Sequence, residues 1–266
     1  MFGCAGSDNN FSTANLASGA RAPTSTNAPD SGVTPNPEPA LPTTISPVAL
    51  IPRPSNSPNM KVCGASQSVA GIDVSNYDPN TNWNLVTKAQ AKFSFIKATE
   101  GMTLTNRFFA SDWRESKVAG VIRGAYHFYH PKDDAVTQAD FYLATIGQLE
   151  NTDLPAMFDW EATDGVSRTQ QIETAVKWLA YVEEKTGKTP IIYTDTSFWN
   201  ELGNPQGFER YPLFIANYDI DCPEIPPPWN TWTFWQKGIG PFPGVQASGT
   251  DFDLFNGSLR ELTRLF

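Results

Sequence analysis

From residue 70 onward, short apolar runs that read as strands alternate with segments whose apolar residues fall at helical spacing. The strand-like runs cover 70–75 (AGIDVS), 93–99 (FSFIKAT), 121–129, 154–161, 190–195, 213–218 and 231–237, with a last one near 246–254. Between the early runs lie helical stripes: Leu85, Val86 and Ala89 over 83–91; Ala139, Tyr142, Leu143, Ile146 and Leu149 over 137–149; and Ile172, Ala175, Val176 and Leu179 over 168–186. The last stripe carries start and stop signals, Ser167 with Gln170 at one end and Gly187 at the other. Parallel strands need long crossover connections, and helices supply them, so this alternation implies a largely parallel sheet. Eight runs suit a closed barrel. Past residue 200 the helical stripes thin out, and a Pro-rich PEIPPPWN stands where a helix would be. The expected fold class is therefore α/β, an irregular (β/α)8-type (TIM-like) barrel with a helix-poor C-terminal half. An open doubly wound sheet is the alternative. It would want a Gly-rich phosphate loop after the first strand, and GIDVSNYDPN offers none.

The barrel pattern does not extend to the start of the chain. Apart from Phe2 and Phe11, every aromatic lies at or after Tyr77. The first 66 residues are rich in Pro, Ser, Thr, Asn and Ala. Such a segment buries too little apolar surface to offset its ordering entropy, so residues 1–66 are expected to form a disordered tether. About 200 residues remain, a size at which a single core is well supported. The opening MFGCAGS resembles the end of a bacterial lipoprotein signal, in which Cys4 would be lipidated; the alternative is an accidental cysteine. No run is long and apolar enough to span a membrane. Cys63 and Cys222 could pair or remain free thiols. With three cysteines, two histidines and no CxxC, a zinc site is not expected, and no cofactor is implied. A net charge of −9 without a basic run argues against a nucleic-acid partner.

The stretch LPAMFDWE, residues 154–161, ends an apolar run on two acids one residue apart. On a strand, residues i and i+2 share a face about 6.6 Å apart at Cα, so Asp159 and Glu161 point the same way and Trp160 points away. In a barrel of this kind active sites lie at the carboxyl ends of the strands, where Asp159, Glu161 and Asp73 all fall. Two carboxylates in one enclosed site raise each other's proton affinity, so one can hold a proton near neutral pH. A protonated acid beside an ionised one is what glycoside hydrolysis requires. Capping of the next helix, or pairing with Lys or Arg, is the bland alternative. Aromatics that could stack on sugar rings lie in or just after the strands: Tyr126, Phe128, Tyr129, Tyr193, Trp199, Tyr218, Trp232 and Trp235. Most must be core. His127, deep in a strand, is expected to be a packed histidine, and His130 to lie in a solvated loop.

GIDVSNYDPNTNWNLV, FSFIKATEG, RGAYHFYHP, LPAMFDWE, PIIYTDTSFW, LFIANYD, WTFWQ and DFDLFNGSL occur in the order and spacing of the glycoside hydrolase family 25 lysozymes, the Chalaropsis-type muramidases. The resemblance runs from about residue 70 to the end and makes 67–266 the expected catalytic domain. It implies cleavage of the β-1,4 bond between N-acetylmuramic acid and N-acetylglucosamine in peptidoglycan, with retention. It places the family's acids on Asp73, Asp159, Glu161 and Asp251, with Asp253 a structural neighbour, and substrate contacts on Tyr126 and Lys97. Tyr193, Tyr218 and Trp235 are expected to line the groove with them. Two acids on one strand do not easily flank a bond, so they suit a substrate-assisted route, with Glu161 as acid and Asp159 orienting the sugar's acetamido group. The expected partner is the glycan strand, the expected state a monomer, and the expected place the cell envelope or the extracellular space. Two other readings are a non-catalytic wall-binding module on the same fold, which would be expected to have lost one of the acids, and a chitinase-like hydrolase, which usually carries a longer acidic run than FDWE.

Overall fold

The computed structural model describes residues 51–266 apart from Ser248. Eleven strands are formed in it: β1 (Met60–Lys61), β2 (Val69–Val74), β3 (Phe93–Glu100), β4 (Leu104–Thr105), β5 (Ile122–Phe128), β6 (Met157–Asp159), β7 (Ile191–Asp195), β8 (Leu213–Ala216), β9 (Glu224–Ile225), β10 (Phe234–Gly240) and β11 (Thr250–Phe255). The helices are α1 (Trp83–Lys88), α2 (Phe109–Val118), α3 (Ala135–Ile146), α4 (Arg168–Thr186), α5 (Thr196–Glu201) and α6 (Leu259–Leu262). Strands pair in the order β2-β11-β10-β8-β7-β6-β5-β3, and β2 pairs with β3 to close the barrel. The expected irregular barrel is thus formed, and its second half is helix-poor.

Seven barrel strands run parallel. The eighth, β11, is antiparallel to both neighbours, β10 and β2. A hairpin-like connection replaces the last crossover, so the amino end of β11 lies beside the carboxyl end of β2, with Asp251 opposite Asp73.

Strand alternation sorts side chains into two cores. Phe93, Phe95, Phe214 and Phe234 plug the barrel interior at tilted and edge-to-face contacts of 5.2 to 6.2 Å between ring centroids. Gly71 and Gly124 leave room for them: a Cβ at either position would lie 2.5 Å from the ring of Phe93 or Phe95. The outer core packs the helices on the barrel and holds Phe158, Trp160, Trp178, Trp199 and Phe208. The helix at 168–186 forms at those bounds, with Ser167 capping the Gln170 amide and Gly187 left-handed at φ 69°.

Helix α2 was not apparent from hydrophobic spacing because its buried stripe is partly polar. Asp112 and Ser116 face inward, and Asp112 accepts from Trp83 Nε1 at 3.0 Å.

The expected boundary of the tether also moves. Residues 1–50 lie outside the described residues, as does Cys4. Residues 51–66, expected to belong to the tether, pack on the domain. Arg53 donates to the carbonyls of Ile225 and Trp229 at 3.1 and 2.9 Å, β1 pairs with β9, and Cys63 is disulfide-bonded to Cys222. Backbone pairing and a covalent link hold this strap, which is why its apolar-poor composition did not reveal it.

Candidate active site

Asp73, Lys97, Tyr126, Asp159, Glu161, Tyr193, Tyr218 and Asp251 line one cavity of about 250 Å³ at the carboxyl end of the parallel strands. Met157, Phe128, Ser75, Tyr77 and Gln236 line it with them. A second cavity, about 370 Å³, continues past Glu161 toward Asp195, Ser197 and Asn217. A larger hollow of about 480 Å³ beside the start of α1 holds Glu115 and no second acid.

Each side chain is aimed by its strand. Met157 and Asp159 face inward, while Phe158 and Trp160 face the outer core, where Trp160 meets Phe158, Phe198, Trp199 and Phe208. The ladder continues past β6, since the Trp160 amide donates to the Tyr193 carbonyl at 2.9 Å. Glu161 therefore returns to the inward face.

Every carboxyl of the cluster holds its proton more tightly than usual. Burial is the first cause for Asp73, followed by the charge of Asp251, and the Gln236 hydrogen bond opposes both. Burial and then Glu161 raise Asp159, against Lys97. Glu161 stands at the mouth of the cavity, more exposed than the others, and is raised by partial desolvation and then by Asp195, again against Lys97. Asp251 is pushed up to about 6 by burial, then by Asp78 and Glu161. Asp253 sits below them at 1% exposure, with neither carboxyl oxygen partnered among the described residues, and burial raises it strongly. Asp159 Oδ1 is likewise buried without a partner. Asp73 and Asp159 are buried while Asp251 is half-buried and Glu161 reaches solvent, and a graded cluster of this kind can keep one acid protonated while another is charged.

Lys97 is the cavity's cation. Its Nζ meets Glu100 at 2.7 Å and lies 4.9 Å from the Phe128 ring centroid. On the opposite wall, the hydroxyls of Tyr193 and Tyr218 donate to Gln236 Oε1 at 2.8 and 2.5 Å. Those two donors orient the amide, so Gln236 Nε2 donates to Asp73 Oδ2 at 2.7 Å. Gln236 was not expected as a site residue. The signal for it is its place two residues after Phe234, on the same inward face.

Trp235, expected in the groove, does not line it. It alternates with Phe234 and Gln236, faces outward, and donates its Nε1 to the Asn217 carbonyl at 2.8 Å. Trp199 and Trp232 are outer-core residues in the same way, bonded to the carbonyls of Pro227 and Val62. Tyr129 packs on Phe158. His127 is packed as expected: fully buried, bonded to Thr99 and Gln138, stacked on Trp178, and pushed by burial down to about 3. His130 lies in a loop, as expected, but is only partly solvated. Its ring lies between Asp164, 3.0 Å from Nδ1, and Glu100, 3.3 Å from Nε2.

Comparison with known proteins adds to this geometry. The family model for Glycosyl hydrolases family 25 matches residues 72–239. The protein YegX of Escherichia coli K12, described as uncharacterized, is 36% identical over 205 residues, 74% of this chain and 73% of its own length. The N,O-diacetylmuramidase of Chalaropsis sp is 33% identical over 213 residues, 74% of this chain and 99% of its own. The crystal structure of the bacterial lysozyme from Streptomyces coelicolor superposes with a TM-score of 0.72 at 33% identity, covering 76% of this chain and 98% of that one.

Proposed function

The chain belongs to glycosyl hydrolases family 25 and is a glycoside hydrolase of the lysozyme, or muramidase, kind, and from that premise we propose how its cavity works. The substrate is the peptidoglycan glycan strand, cut at the β-1,4 bond between N-acetylmuramic acid and N-acetylglucosamine. The observation that carries the reading is the convergence of Asp159 and Glu161, one strand's two acids, with Asp73 and Asp251 in one open cavity.

Glu161 donates its proton to the glycosidic oxygen as the C–O bond breaks. Its raised proton affinity favours that role. The carbonyl oxygen of the sugar's own 2-acetamido group attacks the anomeric carbon from the opposite face. Asp159, whose Oδ1 has no partner among the described residues, accepts from the acetamido N–H and stabilises the positive charge that develops. Water then opens the resulting ring, losing its proton to Glu161, and two inversions give net retention. Asp73 and Asp251 keep protons in the cluster and hold the saccharide, and Lys97 and Tyr126 contact it. Side-by-side acids on one strand support this route over direct attack by a carboxylate, which needs two groups flanking the bond about 5 to 5.5 Å apart.

The Cys63–Cys222 bond supports action in an oxidising place, the envelope or the extracellular space. Lipidation at Cys4 would anchor the protein there, and the catalytic unit would act as a monomer. Among the described residues no helix is long and apolar enough to cross a membrane.

The test is lysis of purified sacculi by wild type beside Glu161→Gln, with borohydride reduction of the fragments. Muramic acid as the new reducing end, and a loss of about 10² to 10⁴ in rate for the folded variant, are expected. A folded variant within a few-fold of wild type would sink the assignment of Glu161.

A further inference from the structure

Asp195 belongs to no strand end expected to carry chemistry, yet the fold sets it beside the acid. Strands β6 and β7 pair in parallel with Met157 opposite Ile191 and Asp159 opposite Tyr193. The Trp160–Tyr193 backbone bond carries this register one step further, so Glu161 comes opposite Asp195. Neighbouring strands lie about 4.8 Å apart, and residues two apart share a face, so both carboxylates are on the inward side. The two line one continuous cavity of about 370 Å³.

The carboxylate of Asp195 is held still. Its Oδ1 accepts from the amides of Ser197 and Phe198 at 2.8 and 2.9 Å and from Ser197 Oγ at 2.7 Å, capping α5. That grip leaves the other oxygen free of any partner in the described hydrogen bonding. The cap fixes this carboxylate in place, one strand over from Glu161 on the wall of the same cavity.

We propose that Asp195 is a positioning residue for Glu161: its fixed negative charge, one strand over, keeps Glu161 protonated at the pH where the acid must act. This rests on the reading of Glu161 as general acid. Other groups also face Glu161. They are Asp73 from β2, Lys97 from β3, Tyr126 from β5, Asp159 from β6, Tyr193 from β7, Tyr218 after β8, and Asp251 from β11, with Asp78 beside Asp73 and Asp251 and Glu100 beside Lys97 behind them. Lys97 acts in the opposite sense. Asp73, Asp159 and Asp251 are themselves raised and compete with Glu161 for protons, so they are poor sources of fixed charge. After burial, the charge of Asp195 is the largest cause that raises Glu161.

The experiment is a pH–rate profile for Asp195→Asn, Asp195→Ser and Asp195→Glu beside wild type, on sacculi. Asn and Ser cap a helix about as well as Asp, so the first two variants remove charge while keeping α5 in place. Without the charge Glu161 gives up its proton at lower pH, and the alkaline limb moves to lower pH. Both neutral variants should stay within about twofold of wild type on the acid side and fall roughly several-fold on the alkaline side. Asp195→Glu should restore the limb. A profile for Asp195→Asn that superimposes on wild type, or falls equally at every pH, overturns the proposal. If Glu161→Gln is itself active, the failure lies with the general-acid assignment instead.

Discussion

The hydrogen bonds around Gln236 set up a sharp test of how the cavity is held. Gln236→Met keeps the length of the side chain and removes its amide. Gln236 is 3% exposed, Tyr193 7% and Asp73 8%, so water cannot readily replace what is lost. Tyr218 is 46% exposed, and its hydroxyl can turn to solvent at little cost. The Tyr193 hydroxyl is left buried without its acceptor, worth about 1 to 3 kcal/mol, and Asp73 loses its donor, worth about 1 to 1.5 kcal/mol if the acid is protonated and more if it is charged. The expected destabilisation is therefore about 2 to 4 kcal/mol. Activity should fall as well, because Gln236 is the one interaction that opposes burial at Asp73. Urea unfolding followed by tryptophan fluorescence gives the first number, and turbidity of sacculi the second. A double-mutant cycle with Asp73→Asn separates the two contacts. If Gln236 acts through Asp73, the coupling should exceed about 0.5 kcal/mol; additivity within about 0.3 kcal/mol would refute that link. An unchanged urea midpoint for Gln236→Met would refute the whole chain of hydrogen bonds.

Replacing Cys63 and Cys222 together by Ser removes a crosslink that spans 159 residues in sequence. Loop closure over such a span sets an upper end of about 5 kcal/mol, so a fall in Tm of roughly 10 °C is expected by calorimetry, and no fall would contradict the packing of the 51–66 strap. Folding should also depend on pH in a defined sense. Asp251 and Asp112 hold protons up to about 6 when folded against 3.8 for an ordinary Asp side chain, so the native state gains stability as pH falls from above 6 toward 4 and loses it as pH rises through 6. Melting curves across that window should show the slope, and Asp251→Asn should flatten it. Asp159→Asn should be impaired rather than dead, and substrate lacking the N-acetyl group at the cleaved position should be poor; a glycosyl adduct on Asp159 or Asp73, trapped with a fluorinated substrate and seen by intact mass, would refute the assisted route.

Much of the barrel was legible because period-two and period-3.6 patterns report which face of an element is buried. The apolar runs at 93–99 and 190–195 and the helix at 168–186 were read nearly at their bounds. Pattern says nothing about direction, so the reversal of β11 was invisible. It also fails where burial is polar, as in α2 with Asp112 and Ser116. In the cavity, Asp73, Asp159 and Glu161 were marked by their place at strand ends. Gln236 was not, since a lone glutamine carries no signal until Tyr193, Tyr218 and Asp73 converge on it. Trp235 lies outside the groove because strand alternation, not aromatic character, decides which face a residue takes. Phe234 in the barrel plug fixes Trp235 on the other face.

The place of β11 ties the completeness of the site to closure of the barrel. Asp73 is made with the first barrel strand, and Asp251, its partner across the ladder, with the last. Without β11 the other seven strands form a sheet with an open seam and an incomplete carboxylate set. Until β11 enters between β2 and β10, both of those strands keep unpaired backbone edges, which favour pairing with other chains over catalysis. The carboxylate set is therefore complete only in a barrel that is sealed, because one strand does both.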